Sequence, residues 1–298
     1  MSGTFQTVAA PDGRAIEVCV EGADDGTLLV FHHGSPGSAV PFPTMSRAAA
    51  ERGIRLATIS RAGYGGSSRL PGRSVADASA DSGLVADAFG AERFMTAGAS
   101  GGGPHALGTA ARFPDRVLAA ATIAGVGPWD GEGLNWLAGM GEENVEEYSS
   151  AERDPPAHLA WIEHQVEELK DITADRIVES LHTLISEVDA HAIDGELGDV
   201  LAASFRAAFR NGPWGWYDDD LAYTRAWGFE LDSIRVPVAI WQGAQDLMVP
   251  FAHGEWLAEH VPGAHARLRP EHGHLSLEVS SIGEILDDLL ALASGEVG

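Results

Sequence analysis

Cysteine is almost absent. Cys19 stands alone in 298 residues and has no partner within the chain, which excludes an internal disulfide framework and makes a reducing, cytoplasmic setting the expectation. Lysine is equally scarce: Lys170 is the single example, the other cations are arginines, and the formal charge is −25. So acidic a chain is not made to bind nucleic acid, whose phosphates need Lys and Arg to displace counterions. The acidity reads as a solubility feature. Apolar runs of the ~20 residues that a membrane span needs are missing. Met1 to Asp12 lacks both a basic region and an apolar core, so neither a signal peptide nor a membrane partner is expected. No metal-ligand spacing is present either; His158 and His164 are six apart, not the four of a helical zinc pair.

What is present is an alternation of strand-like and helix-like segments. Phe5–Ala10 and Ala15–Glu21, joined by Pro11-Asp12-Gly13-Arg14, predict a β-hairpin. Thr27–Phe31 is wholly apolar, as a strand buried on both faces of a parallel sheet should be. Thr44–Arg52 predicts a helix closed by Gly53, and Ile54–Ile59 the next strand. Ser74-Val-Ala-Asp77 is a capping pattern that opens a helix to Phe89. An apolar run ends at Ser100, a helix follows, and Val117–Val126 is another strand. The alternation implies an α/β chain with a mostly parallel, doubly wound sheet.

It then stops. From Pro128 to Asp232 the chain reads as helical, with 24 Asp/Glu against 6 Lys/Arg. Strands and helices resume with Val236–Gln242, Phe251–His260, Ala266–Arg269 and Ile282–Ala293. The expected organisation is a core of residues 1–127 and 235–298 interrupted by a helical insertion, 128–234, acting as a lid.

The chain is organised around Gly98-Ala99-Ser100-Gly101-Gly102. A serine on a sharp strand-to-helix turn projects its hydroxyl outward, and the next backbone N–H faces the same space. With 36 glycines in the chain, about 0.3 G-x-S-x-G matches arise by chance, so the context and the partners must carry the argument.

With those elements in place the sequence resembles, over almost its whole length, an α/β-hydrolase with a helical cap, in the esterase and proline-iminopeptidase branch. The resemblance implies Ser100 as nucleophile, followed by an acid and then a histidine. Val238 to Pro250 resembles the family's strand and G-x-x-D segment, which makes Asp246 the acid, with Asp130 in reserve. Glu271-His272-Gly273-His274 resembles the Gly-His pair, which makes His274 the base ahead of His272. His33-Gly34-Ser35-Pro36-Gly37 resembles the H-G-x-P-G loop, whose role is to set the Ser35 N–H opposite that of Gly101 as an oxyanion hole. Arg61–Ser67 resembles a family loop and reads as structural, rimming the site.

Six of the eight tryptophans lie in the insertion. Asn211–Tyr217 is rich in Gly and Pro and is expected to be irregular, setting Trp214 and Trp216 over the site. Together with His33, Trp136 and Trp227 they are the candidate pocket residues. The expected activity is a cofactor-free serine hydrolase acting on a small, largely apolar ester, neutral or cationic, and a homodimer is left open. Competing readings are an aminopeptidase of the proline-iminopeptidase type, a lactonase, C–C hydrolase or haloperoxidase, and a non-hydrolytic small-molecule receptor on the same fold.

Overall fold

The computed structural model describes residues 3–181, 183–193 and 195–296. Strands β1 (Thr4–Ala9) and β2 (Ala15–Gly22) form the expected hairpin, turned by Gly13 at φ 87°, a value glycine adopts without strain. Then follow β3 (Thr27–His32), α1 (Pro43–Glu51), β4 (Ile54–Ile59), α2 (Val75–Ala88), β5 (Phe94–Ala99), α3 (Gly102–Arg112) and β6 (Val117–Ile123). The predicted capping box forms: the Ser74 hydroxyl accepts from the Asp77 amide, and the Asp77 carboxylate accepts from the Ser74 amide. Six helices come next: α4 (Glu142–Arg153), α5 (Pro155–Leu169), α6 (Ala174–Ser180), α7 (Glu187–Ala192), α8 (Gly195–Ala208) and α9 (Trp214–Tyr223). Strand β7 (Val238–Gly243), α10 (Phe251–His260), β8 (Ala264–Arg269) and α11 (Leu275–Ser294) complete the chain.

The eight strands make one sheet in the order β1-β2-β4-β3-β5-β6-β7-β8. From β4 to β8 all pairs are parallel, and the hairpin is the antiparallel edge. Alternate residues feed two cores. Val30, Val238 and Ile240 pack with Val85, Leu107 and Leu257 on the α2, α3 and α10 face. Leu29, Phe31, Met95 and Trp241 pack with Met45, Ile285 and Leu289 on the α1 and α11 face. Helices thus cover both faces, the doubly wound arrangement. After β3 the chain moves to β4 on one side and returns to β5 on the other, so the crevice between the ends of β3 and β5 is the switch point where such sheets bind ligands.

The helices between β6 and β7 have an apolar cluster of their own, with Ile162, Val166, Ile177, Ala202, Phe205 and Trp216 packed on Tyr64. Two local expectations fail in part. Asn211–Tyr217 is irregular only as far as Pro213, because α9 begins at Trp214; Gly215 is there because a Cβ would stand 2.4 Å from Cγ of Tyr64, which lies against the helix. The last helix starts at Leu275 rather than Ile282, since the run to Ser281 is polar enough to blur a helical stripe that the fold nonetheless completes. Among the described residues no helix is long and apolar enough to cross a membrane.

Candidate active site

Ser100, in the turn directly after β5, has φ 52°, a left-handed conformation that is costly for a side-chain-bearing residue and concentrates at functional turns. The turn is possible because its neighbours are glycines at close approaches. A Cβ on Gly98 would lie 2.1 Å from the Gly102 carbonyl oxygen, and one on Gly102 would lie 2.1 Å from that of His32. The Ser100 carbonyl accepts from the Gly103 amide at 2.9 Å, which fixes the first turn of α3 beneath it.

The strand-end loops bring the other two predicted residues together. His274 Nδ1 lies 2.8 Å from Asp246 Oδ2. That oxygen also accepts from Gln242 Nε2 at 3.1 Å, and Oδ1 accepts from the Met248 and Val249 amides at 2.9 and 2.8 Å. Three other donors surround the carboxylate, which accepts from each and has no hydrogen to give, so the hydrogen between the pair is placed on Nδ1 and Nε2 is the imidazole acceptor. Burial opposes a charge on His274, but the Asp246 charge and hydrogen bond outweigh it and raise its pKa above the ordinary 6.5. Asp130 is exposed on the surface, and the His272 imidazole lies 3.7 Å from Glu271 instead. Between the candidates, the geometry couples Asp246 to His274.

Ser100 and His274 line one cavity of about 900 Å³ together with His33, Gly34 and Ser35 from the β3 loop. The apolar part of the wall includes Phe31, Leu184, Leu197, Leu201 and Phe205, and Glu147, Tyr148 and Trp216 come from the inserted helices. Burial, with Asp220 next, pushes Glu147 well above the ordinary carboxylate range, and its Oε1 accepts from Trp216 Nε1 at 2.6 Å. Neither the Ser35 nor the Gly101 amide donates to another described residue. No side chain fits at Gly101, where a Cβ would stand 2.6 Å from the Tyr223 hydroxyl. Among the described residues no group of three or more His, Cys, Asp or Glu could hold a metal ion.

A family model described as alpha/beta hydrolase fold matches residues 27–281. The chain belongs to that family. Uncharacterized hydrolase YcgS of Bacillus subtilis (strain 168) is 27% identical over 285 residues, covering 92% of this chain and 94% of that protein. A putative aryl esterase from Burkholderia cenocepacia superposes with a TM-score of 0.69 at 20% identity, over 98% of this chain and 100% of that one. A bromoperoxidase from Bacillus anthracis does so with a TM-score of 0.67 at 21% identity and the same coverage. At those identities the likeness to the two structures is one of fold.

In this α/β hydrolase one of the four candidate tryptophans reaches the cavity wall. Trp216 lines the cavity. Trp136 is instead packed between Tyr148 and His253, with its Nε1 donating to the Gly127 carbonyl. Trp214 lies under the Arg69 guanidinium at 3.9 Å, and Trp227 stacks on Phe229. Indoles fill core volume well, as Trp136 and Trp227 do, whereas Trp214 is half-buried under Arg69; none of the three lines the cavity. His33 does line the cavity, but as a wedge: its Nε2 accepts from the Arg61 amide and its Nδ1 donates to the Gly34 carbonyl at 2.6 Å. Burial holds it neutral, well below its ordinary pKa.

Several residues around the site were not singled out from sequence. Asp189 of α7 accepts from the His274 and Ser276 amides at 2.9 and 2.8 Å, gripping the backbone that carries the imidazole. Asp218, Asp219 and Asp220 are all buried in α9. Successive helix positions diverge by about 100°, so each meets a different partner. Asp218 takes both ends of Arg69, Asp219 takes Arg61 and Arg73 at 2.7 and 2.6 Å, and Asp220 takes His158 Nε2 at 3.0 Å. Burial favours protonation of Asp219, but Arg61 and Arg73 overcome it and hold the pKa well below the ordinary range. The acidic run was visible; the arginines that face it are far away in sequence.

Proposed function

We propose that this α/β hydrolase is a serine hydrolase that cleaves a small, largely apolar ester through an acyl-enzyme, with 128–234 as the cap over a core of 1–127 and 235–298. The observation that carries the reading is the His274–Asp246 pair at 2.8 Å opening onto the same cavity as a serine held at φ 52°.

Ser100 Oγ attacks the ester carbonyl carbon while His274 Nε2 takes its proton, and Asp246 stabilises the imidazolium. The carbonyl π pair moves onto oxygen, where the Ser35 and Gly101 amides receive it; such donors are worth about 10²–10³ in rate each. Collapse breaks the bond to the alcohol oxygen, which leaves with the proton from His274. Water then repeats the sequence on the acyl-enzyme and releases the acid. The apolar wall supports a hydrocarbon acyl or alcohol group. The wall also carries Glu143, Glu168, Asp171 and Glu179, so a cationic substrate is accommodated as well as a neutral one.

The test is a panel of p-nitrophenyl esters of increasing acyl length beside aminoacyl p-nitroanilides and lactones. Ester turnover that depends on Ser100 supports the reading; a preference for aminoacyl amides would overturn it in favour of an aminopeptidase.

A further inference from the structure

Each amide of the proposed oxyanion pocket belongs to a peptide plane whose carbonyl points the other way, because a trans peptide sets N–H and C=O on opposite sides. Holding the carbonyl therefore aims the amide. The Ser35 N–H shares its plane with the Gly34 carbonyl, which accepts from Arg61 Nη2 at 3.2 Å and His33 Nδ1 at 2.6 Å. The Gly101 N–H shares its plane with the Ser100 carbonyl, held by the Gly103 amide. What remains is to fix the two planes relative to each other, and Gly101 has no side chain with which to do it.

Tyr223 ties the two loops through groups next to those planes: the Gly101 carbonyl, which belongs to the peptide plane after the one carrying the Gly101 N–H, and the Ser35 side chain. The Tyr223 hydroxyl donates to the Gly101 carbonyl at 2.7 Å and stands 2.9 Å from Ser35 Oγ. Ser35 Oγ in turn donates to Asp219 Oδ2 at 2.7 Å and accepts from Arg61 Nη2 at 2.8 Å. Two hydroxyl hydrogens serve three contacts here, and the anionic Asp219 is the better acceptor for the serine's. That leaves the tyrosine's hydrogen for Gly101. Three of these groups are shut away from water, Tyr223 and Asp219 being 0% exposed and Arg61 2%, while Ser35 is half-buried at the cavity wall. Asp219 and Tyr223 are four apart on α9, so one face of one inserted helix reaches both loops.

We infer that Tyr223, backed by Asp219 and Arg61, is a positioning residue that holds the Ser35 and Gly101 amides at the separation the oxyanion requires. The inference rests on the serine-hydrolase reading. It makes the last helix of the insertion part of the catalytic frame: α9 stays docked on the two loops through turnover, and any opening of the insertion occurs elsewhere.

The experiment measures phosphonylation of Ser100 by an alkyl fluorophosphonate, in which Oγ bonds to phosphorus, fluoride leaves and the phosphoryl oxygen occupies the oxyanion pocket. It separates the maximal rate from the half-saturating concentration, for wild type, Tyr223→Phe and Ser35→Ala. An interaction made mainly in the transition state lowers the rate and spares binding. Tyr223→Phe is expected to lower the maximal rate about 10- to 100-fold, leave half-saturation within about twofold and leave the His274 pH midpoint unmoved. Ser35→Ala, which removes the bridge from its other end and keeps the Ser35 amide, is expected to act in the same direction. Should Tyr223→Phe fail to fold, it decides the test alone. Wild-type rates in a folded variant, or a change confined to half-saturation, would overturn the inference. Absence of any labelling at Ser100 in the wild type would instead overturn the underlying reading.

Discussion

Four donors converge on the two oxygens of Asp246, and one of them is the imidazole it orients. Asparagine would keep the size but replace one acceptor oxygen by a donor NH₂, so His274 would turn to the wrong tautomer. Asp246→Asn is expected to lower kcat by roughly 10⁴; steady-state ester hydrolysis checks it, and a loss under tenfold would contradict it. A general base must be neutral to accept a proton. Because the His274 pKa is raised above 6.5, kcat/KM should fall as pH drops through a midpoint above that value. A pH–rate profile with its acid midpoint below 6.5 would contradict the account. The three residues of this constellation were legible because each lies in a short local sequence word: Gly-x-Ser-x-Gly, a strand followed by Asp246, and Gly273-His274. Asp219, Arg61 and Tyr223 were not, since their meeting is made by folding across 158 positions between Arg61 and Asp219 and no local spacing records it.

Between α4 and α9 two carboxyls face each other in the interior. Glu147 and Asp220 are both pushed well above the ordinary carboxylate range, by burial first and by neighbouring carboxylates next. Two such groups cannot both ionise in a dry contact. A folded-state pKa above the unfolded one means the folded chain binds the extra proton. The stabilisation is complete below the unfolded value of about 4.5 and is lost as pH rises through the folded one. Glu147→Gln keeps an acceptor for Trp216 Nε1 and needs no proton. Its melting temperature relative to wild type is therefore expected to rise between about pH 5 and pH 9, by about 2–4 °C; thermal denaturation checks this, and a pH-independent difference would contradict it. The core strands and helices were legible from apolar runs and capping residues. The start of α9 was not, because Pro213 and Gly215 weaken helix propensity locally while the packing of Gly215 on Tyr64 fixes the helix from outside.

The whole molecule carries a formal charge of −25, and its insertion holds more than half of the acidic residues. Repulsion among so many carboxylates weakens the compact state. Raising salt from about 0.1 to about 1 M shortens the screening length from about 10 to about 3 Å. Melting temperature is thus expected to rise with sodium chloride, and a fall would show that screened ion pairs matter more than screened repulsion. The sheet sets β3 and β5 at its switch point, residues from the helices between β6 and β7 line the cavity beside them, and the proposed chemistry falls to Ser100 alone among the serines there. The most direct measurement is covalent labelling of the folded protein with a fluorophosphonate probe, wild type beside Ser100→Ala, with the modified peptide mapped. The account predicts a single adduct on Ser100 that vanishes in the variant. A folded wild type that stays unlabelled, or a variant labelled to the same extent, would contradict it.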